Sequence, residues 1–168
     1  LGPPETRADV LGWACAQIAR QYYDGWRVLL VETGPAPAEL EASLAAATKD
    51  LGREGHIALR VVAGGVDVAM HRLVQDSDYV LLATAPTLLR PDALAELVWA
   101  AREQDADVVF ADDRRVDETN VPMPVRRKPG WSPELLLASP YLGTALMCRS
   151  SVFQLASDRV ATWPVDAV

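Results

Sequence analysis

Two adjacent carboxylates, Asp112 and Asp113, follow the apolar run Ala106 to Ala111 and stand directly before Arg114 and Arg115. Paired carboxylates are hard oxygen donors that suit a divalent cation such as Mn²⁺ or Mg²⁺, yet acidic residues at a strand end equally cap the next turn or face water. Arg126-Arg127-Lys128 is a second charged group, able to neutralise phosphate oxygens or to lie solvated on the surface. Trp131 can stack on a ligand ring, or pack as a hydrophobic staple ahead of the helix that Ser132-Pro133 opens. His56 and His71 have no carboxylate or His partner at ligand spacing, so they read as ordinary surface or interface residues. Cys15 and Cys148 are far apart and lack metal-like spacing, which suits core positions in a reducing, cytoplasmic compartment. Gly64-Gly65 lacks the G-x-G-x-x-G spacing of a dinucleotide fingerprint.

The elements that must position these groups belong to a chain of 168 residues, enough for one domain with a real core. Half the residues are hydrophobic and 23% charged, which excludes disorder, and the longest nearly apolar run, Tyr79 to Leu89, is too short to cross a bilayer. A formal charge of −7 excludes a general electrostatic grip on nucleic acid or anionic lipid, both polyanions, so a phosphate partner has to be held locally. Leu1-Gly2-Pro3-Pro4 carries no basic or apolar leader to read. That start, and an end at Trp163-Pro164-Val165-Asp166-Ala167-Val168, look like cuts inside a longer polypeptide, whose neighbouring domains are then expected partners.

Thr6-Arg7-Ala8-Asp9 has the form of a capping box, and Val10, Leu11, Cys15, Ile18 and Ala19 recur at helical spacing up to Tyr22-Tyr23. Arg27 to Val31 is a short apolar strand, continuous enough for the buried middle of a parallel sheet. Pro37 opens a helix carrying Leu40, Leu44, Ala47 and Leu51 on one face. His56 to Val62 reads as a strand, Val66 to Gln75 as a helix and Asp78 to Ala83 as a strand. Pro91-Asp92 opens a helix over Ala93, Leu94, Leu97, Val98 and Ala101, and Ala106 to Ala111 is another buried strand. Strands alternating with helices of this length predict an α/β fold, a mostly parallel sheet flanked by helices, with ligands beyond the carboxyl ends of the strands. Asp113 to Gly130, with Pro122, Pro124 and Pro129, breaks the rhythm as a surface excursion with an edge strand near Val121 to Val125. Ser132 then caps a short helix with Leu135 to Leu137 facing inward, Thr144 to Cys148 returns as a strand, and Ser150-Ser151 caps a last helix.

Three segments in this order carry a resemblance: Leu88-Leu89-Arg90-Pro91-Asp92-Ala93-Leu94, Ala106-Asp107-Val108-Val109-Phe110-Ala111-Asp112-Asp113, and Lys128-Pro129-Gly130-Trp131-Ser132-Pro133-Glu134-Leu135-Leu136-Leu137 with Tyr141-Leu142-Gly143. They resemble "LLAPDAL", "ADLVYSDED" and "KPDWSPDLLLSQNYIG" of the GT-A domain of family-2 glycosyltransferases, especially the rhamnosyltransferase-like branch. The stretch Trp26 to Gly34 is similar to that family's "WELVVVDDGS". The resemblance implies one GT-A-like domain over 1–168, with a nucleotide-binding half at 1–111 and an acceptor-side half at 112–168. It implies a nucleotide-diphosphate sugar across the strand ends, with its diphosphate on a divalent metal, Mn or Mg, held by a D-x-D motif. Such a cation neutralises the charge developing on the leaving diphosphate, while a further carboxylate deprotonates the acceptor hydroxyl.

The resemblance also sets the expected roles. Glu32 and Thr33 fall on the base-binding acidic pair, Thr84-Ala85-Pro86-Thr87 on the family's D-H-D-D, and Ala111-Asp112-Asp113-Arg114 on its S-D-E-D. Glu32, Thr33, Thr84, Asp112, Asp113 and Arg114 are thus the nucleotide-side residues, Asp112 and Asp113 the metal ligands, Trp131 an acceptor-side residue for a sugar or base, and Asp166 the fit to the catalytic acidic motif. The family's Arg-Asn falls near Val68-Ala69, and the D-x-D carboxylates are gone from Thr84 to Thr87. Two expectations follow from these departures: a degenerate domain serving as scaffold beside an active transferase, which is favoured because several nucleotide-facing positions are lost together, or a metal-independent transferase in which Arg114, Arg115 or Arg126-Arg127-Lys128 neutralises the diphosphate.

Overall fold

The computed structural model describes residues 14, 16–32, 57–61, 74–84, 87–116 and 121–157. Along them run β1 (Val28–Glu32), β2 (Ile57–Val61), β3 (Tyr79–Ala83), α1 (Ala93–Glu103), β4 (Val108–Val109), α2 (Pro133–Ala138), β5 (Ala145–Arg149) and α3 (Ser150–Ser157). Ala14 and residues 16–19 are helical and end at a turn on Arg20, short of the expected Tyr22-Tyr23. The expected helix from Pro37, most of that from Val66, Cys15, His56, His71, Thr33, Val68-Ala69 and Asp166 lie outside the described residues.

The fold is mixed α/β, and its strands form two sheets. β1 and β2 pair in parallel, with Val28 opposite Ile57 and Glu32 opposite Val61. The second sheet has the order β3-β5-β4, and β5 is antiparallel to both neighbours, with Leu81 opposite Met147 and Val109 also opposite Met147. Here the structure departs from the expected mostly parallel sheet. β3 and β4 do run the same way and are joined through α1, but the returning strand inserts between them. Strand direction leaves no mark on side-chain alternation, because the period of two is the same for either sense.

β3 is apolar at consecutive positions because it is covered on both faces. Val80 and Leu82 pack with Val108 against Val74, Cys148 and Phe153, the last from α3. Leu81 points the other way, to Ala19, Trp26 and Leu94, together with Ile18, Tyr23 and Leu89. Burial pushes the Cys148 thiol up to about 11.

α1 begins at Ala93 as its Pro91-Asp92 signal requires, but Asp92 supplies no side-chain cap. Its carboxylate pairs with Arg90 instead. The buried Gln21 takes over: its Oε1 accepts from the Leu94 backbone N at 3.0 Å, and its Nε2 donates to the Arg90 carbonyl at 2.7 Å. One amide thereby satisfies an orphan donor of the helix start and ties it to the preceding helical segment. Past the other end, Asp105 takes φ 47°, a left-handed position that Asp tolerates, and its carboxylate meets Arg149 at 2.7 Å.

Candidate functional site

The site grows from the end of the second sheet where β3 and β4 finish and β5 begins. Thr84, at the end of β3, is exposed and donates its backbone N to the Thr144 carbonyl at 3.1 Å, one residue beyond Gly143. After β4 the chain runs out as a narrow arm. Asp113 pairs with Arg126 and Val116 with Pro122 in isolated antiparallel bridges, in place of the expected edge strand. Between the bridges Arg114 and Arg115 oppose Met123, Pro124 and Val125, an unequal count that defines a bulge and bends the arm.

The Asp113 carboxylate lies at the arm's root. Arg126 grips it in a fork, with Nε 2.9 Å from Oδ1 and Nη2 2.6 Å from Oδ2. Lys128 Nζ lies 3.0 Å from Oδ2 and donates to the Leu142 carbonyl at 2.7 Å. The Arg126 hydrogen bonds hold the Asp113 carboxyl below its usual range, against the opposing effect of burial, with Lys128 assisting; Arg126 is raised in turn by Asp113. Gly143 closes the cluster at φ +85°, where a Cβ would lie 2.7 Å from both Asp113 Oδ2 and Lys128 Nζ. Asp112 points elsewhere, its Oδ1 accepting from the Lys128 backbone N at 2.8 Å.

The structure therefore brings Thr84, Asp112, Asp113, Arg126 and Lys128 to one end of the sheet. The two carboxylates already serve local partners, and a cation on Asp113 would compete with Arg126 and Lys128. Among the described residues no group of three or more His, Cys, Asp or Glu side chains is placed to hold a metal. Glu32 ends β1 opposite Val61. Arg114, Arg115 and Arg127 are exposed and have no carboxylate partner among the described residues, whereas Arg27, Arg90, Arg102, Arg126 and Arg149 are all ion-paired.

Trp131 stands apart from this cluster. It is 58% exposed, so it does not act as a buried staple. The expectation that Leu135 to Leu137 face inward fails at two of the three: Leu137 is 92% exposed and Leu135 is exposed too, while Leu136 is half-buried. α2 has only six residues and buries none of them fully, although Ser132 caps it as expected, its Oγ accepting from Leu135 N at 3.3 Å. The Tyr141 hydroxyl fastens the backbone on both sides of Trp131, accepting from Ser132 N at 2.9 Å and donating to the Gly130 carbonyl at 3.3 Å. Trp131 then flanks a shallow concavity with Asp107, Val108 and Phe110.

Sequence reasoning missed Lys128 and Gly143 as partners of Asp113, and Tyr141 as the clamp of Trp131. The available signal was a lone Lys directly before Pro129-Gly130, and a Gly preceding a strand. Among the described residues no helix is long and apolar enough to cross a membrane. No protein-family model matches the chain, and no curated protein matches it.

Proposed function

We propose that this chain is a GT-A-like domain of the family-2 glycosyltransferase type that serves as an accessory or scaffold domain of a cytoplasmic glycosyltransferase polypeptide. The observation that carries the reading is the state of Asp113: its two oxygens are engaged by Arg126 and Lys128, so this carboxylate serves as a structural anchor. The loss of carboxylates from Thr84 to Thr87 points the same way. Calorimetric titration with UDP, GDP and dTDP, with and without Mn²⁺, tests it. No heat at millimolar nucleotide is the expected result; metal-dependent binding that disappears in Asp112→Ala overturns it.

A second reading rests on three exposed arginines that have no carboxylate partner among the described residues. Arg114, Arg115 and Arg127 could take the place of a cation on a leaving diphosphate, making the domain a metal-independent transferase of a hexose or deoxyhexose from a nucleotide-diphosphate donor to a surface-polysaccharide acceptor. Nucleotide binding without metal, weakened about tenfold or more by Arg127→Ala, is its signature.

A further inference from the structure

One face of α1 is left uncovered. Glu96, Trp99 and Glu103 follow one another three and four residues apart, so they line one side of the helix, and all three are exposed, the indole to 62%. Neither glutamate has a cation partner among the described residues, whereas Asp76, Asp78, Asp92, Asp105, Asp107 and Asp113 all sit in ion pairs. The arm after β4 is the converse, with Arg114, Arg115 and Arg127 exposed and without a carboxylate partner among the described residues. We propose that these are the two halves of one interface, and that two copies of this chain pair reciprocally, each seating its Trp99 in the arm of the other. The pairing does not depend on the accessory role.

The arm offers a seat of suitable size and lining. Arg115, Met123, Pro124 and the paired Asp113 and Arg126 surround a concavity of about 210 Å³. A cavity of about 150 Å³ holds a benzene ring, and the larger volume here suits an indole. Arginine stacks on an indole face, and a thioether sulfur packs well against an aromatic ring. With Trp99 seated, Glu96 and Glu103, one turn to either side of it, come toward Arg114, Arg115 and Arg127.

The arm itself needs cover. Val116, Val121, Met123 and Val125 are between 41% and 55% exposed, and a two-stranded ribbon with nothing packed against it is marginally stable in water. On the 121–125 side that cover is not a further strand. Met123 N points inward, to the Arg115 carbonyl at 2.9 Å, so the backbone at 122 and 124 faces outward, and both residues are proline. That edge lacks the donors another strand would pair with, which leaves side chains as the means of contact. The root is held by Asp113, Arg126 and Lys128, so the seat is fixed before a partner arrives.

Charge selects the occupant. A polyanion would satisfy the arm and leave the Trp99 face bare, and a basic peptide would do the reverse. Within one chain both groups stay exposed, so they do not satisfy each other there. A second copy answers both, and a reciprocal arrangement closes at two.

The test is sedimentation velocity of the full chain at low ionic strength, from about 10 μM to 1 mM. The expected result is a monomer and dimer in equilibrium with a dissociation constant on the order of 0.1 mM, weakened by added salt. The Trp99 emission, taken as the difference from Trp99→Phe, should move to shorter wavelength as the dimer forms. Trp99→Ala should weaken pairing about tenfold or more. Glu96→Arg/Glu103→Arg and Arg114→Glu/Arg115→Glu should each be monomeric alone yet pair when mixed in equal amounts, because each arm then meets a helix face of opposite sign. Recovery in the mixture excludes misfolding as the cause of the loss. A parent chain that stays monomeric at the highest concentration, a dimer that survives either reversal, or a mixture that stays monomeric overturns the proposal. Growth past two copies overturns the reciprocal closure.

Discussion

Replacing Gly143 by Ala places a methyl group where the arm's root is tightest. The residue sits at φ +85°, and its added Cβ would lie 2.7 Å from both Asp113 Oδ2 and Lys128 Nζ, well inside contact distance. Entering the left-handed region costs an L-residue roughly 1–2 kcal/mol. Parting Lys128 from Asp113 adds about 1–3 kcal/mol: the lysine side chain is only 4% exposed and would lose its counter-charge, keeping the Leu142 carbonyl, while Asp113 at 29% recovers some solvation. The sum, about 2–5 kcal/mol, corresponds to a melting temperature lower by roughly 5–15 °C for a chain of this size. Gly130→Ala is the internal control, because nothing lies within 4 Å of its Cβ position; its change should stay within about 0.5 kcal/mol. The assay is urea unfolding of both variants, followed by circular dichroism. In Asp113→Asn/Gly143→Ala the second substitution should cost only the backbone strain, because the ion pair is already gone. Equal midpoints for Gly143→Ala and the parent chain would refute the steric reasoning.

Asp113→Asn alone should flatten the acid limb of stability. The Asp113 carboxyl is lowered in the folded chain, so its contribution is full above the unfolded value near 3.8 and is lost as pH falls through the lower folded value; unfolding midpoints between about pH 2 and 5 read this out. Cys148, buried with its thiol raised to about 11, should react slowly with a thiol reagent at about pH 8 in a Cys15→Ser background and fully once urea is added. Tyr141→Phe should cost about 1–2 kcal/mol through the two hydrogen bonds it removes from Gly130 and Ser132. It should also lower the fluorescence anisotropy contributed by Trp131, measured against Trp131→Phe.

The core was legible wherever chemistry and period agreed. The runs that became β1 and β3 could be seen because consecutive Val and Leu residues have no other stable place, β2 and β5 because short apolar stretches there lie between turn signals, and the start of α1 followed from Pro91-Asp92. Ser132-Pro133 marked α2 for the same local reason. What escaped was set by contacts distant along the chain. Gln21 caps a helix 73 positions on, and no local pattern announces that. The direction of β5 depends on which edge the chain returns to after the arm. The Asp112-Asp113 pair was visible as chemistry, but its separation into two unrelated contacts depends on Lys128 and Arg126 returning along the opposite side of the arm. Leu137 read as core because leucine usually is; six residues of helix with no cover behind them leave it in water.

The central position of β5 governs the order in which the chain can be made. Synthesis delivers β3 and β4 with a gap between them that Ala145–Arg149 fills, so until about residue 149 has left the ribosome both strands carry an open inner edge as well as an outer one. The nascent domain waits with its hydrogen-bonding groups unspent while the whole arm is translated. That interval is its period of greatest exposure to mispairing and chaperone capture, and a stop anywhere upstream of Ala145 leaves a fragment that cannot complete its own sheet.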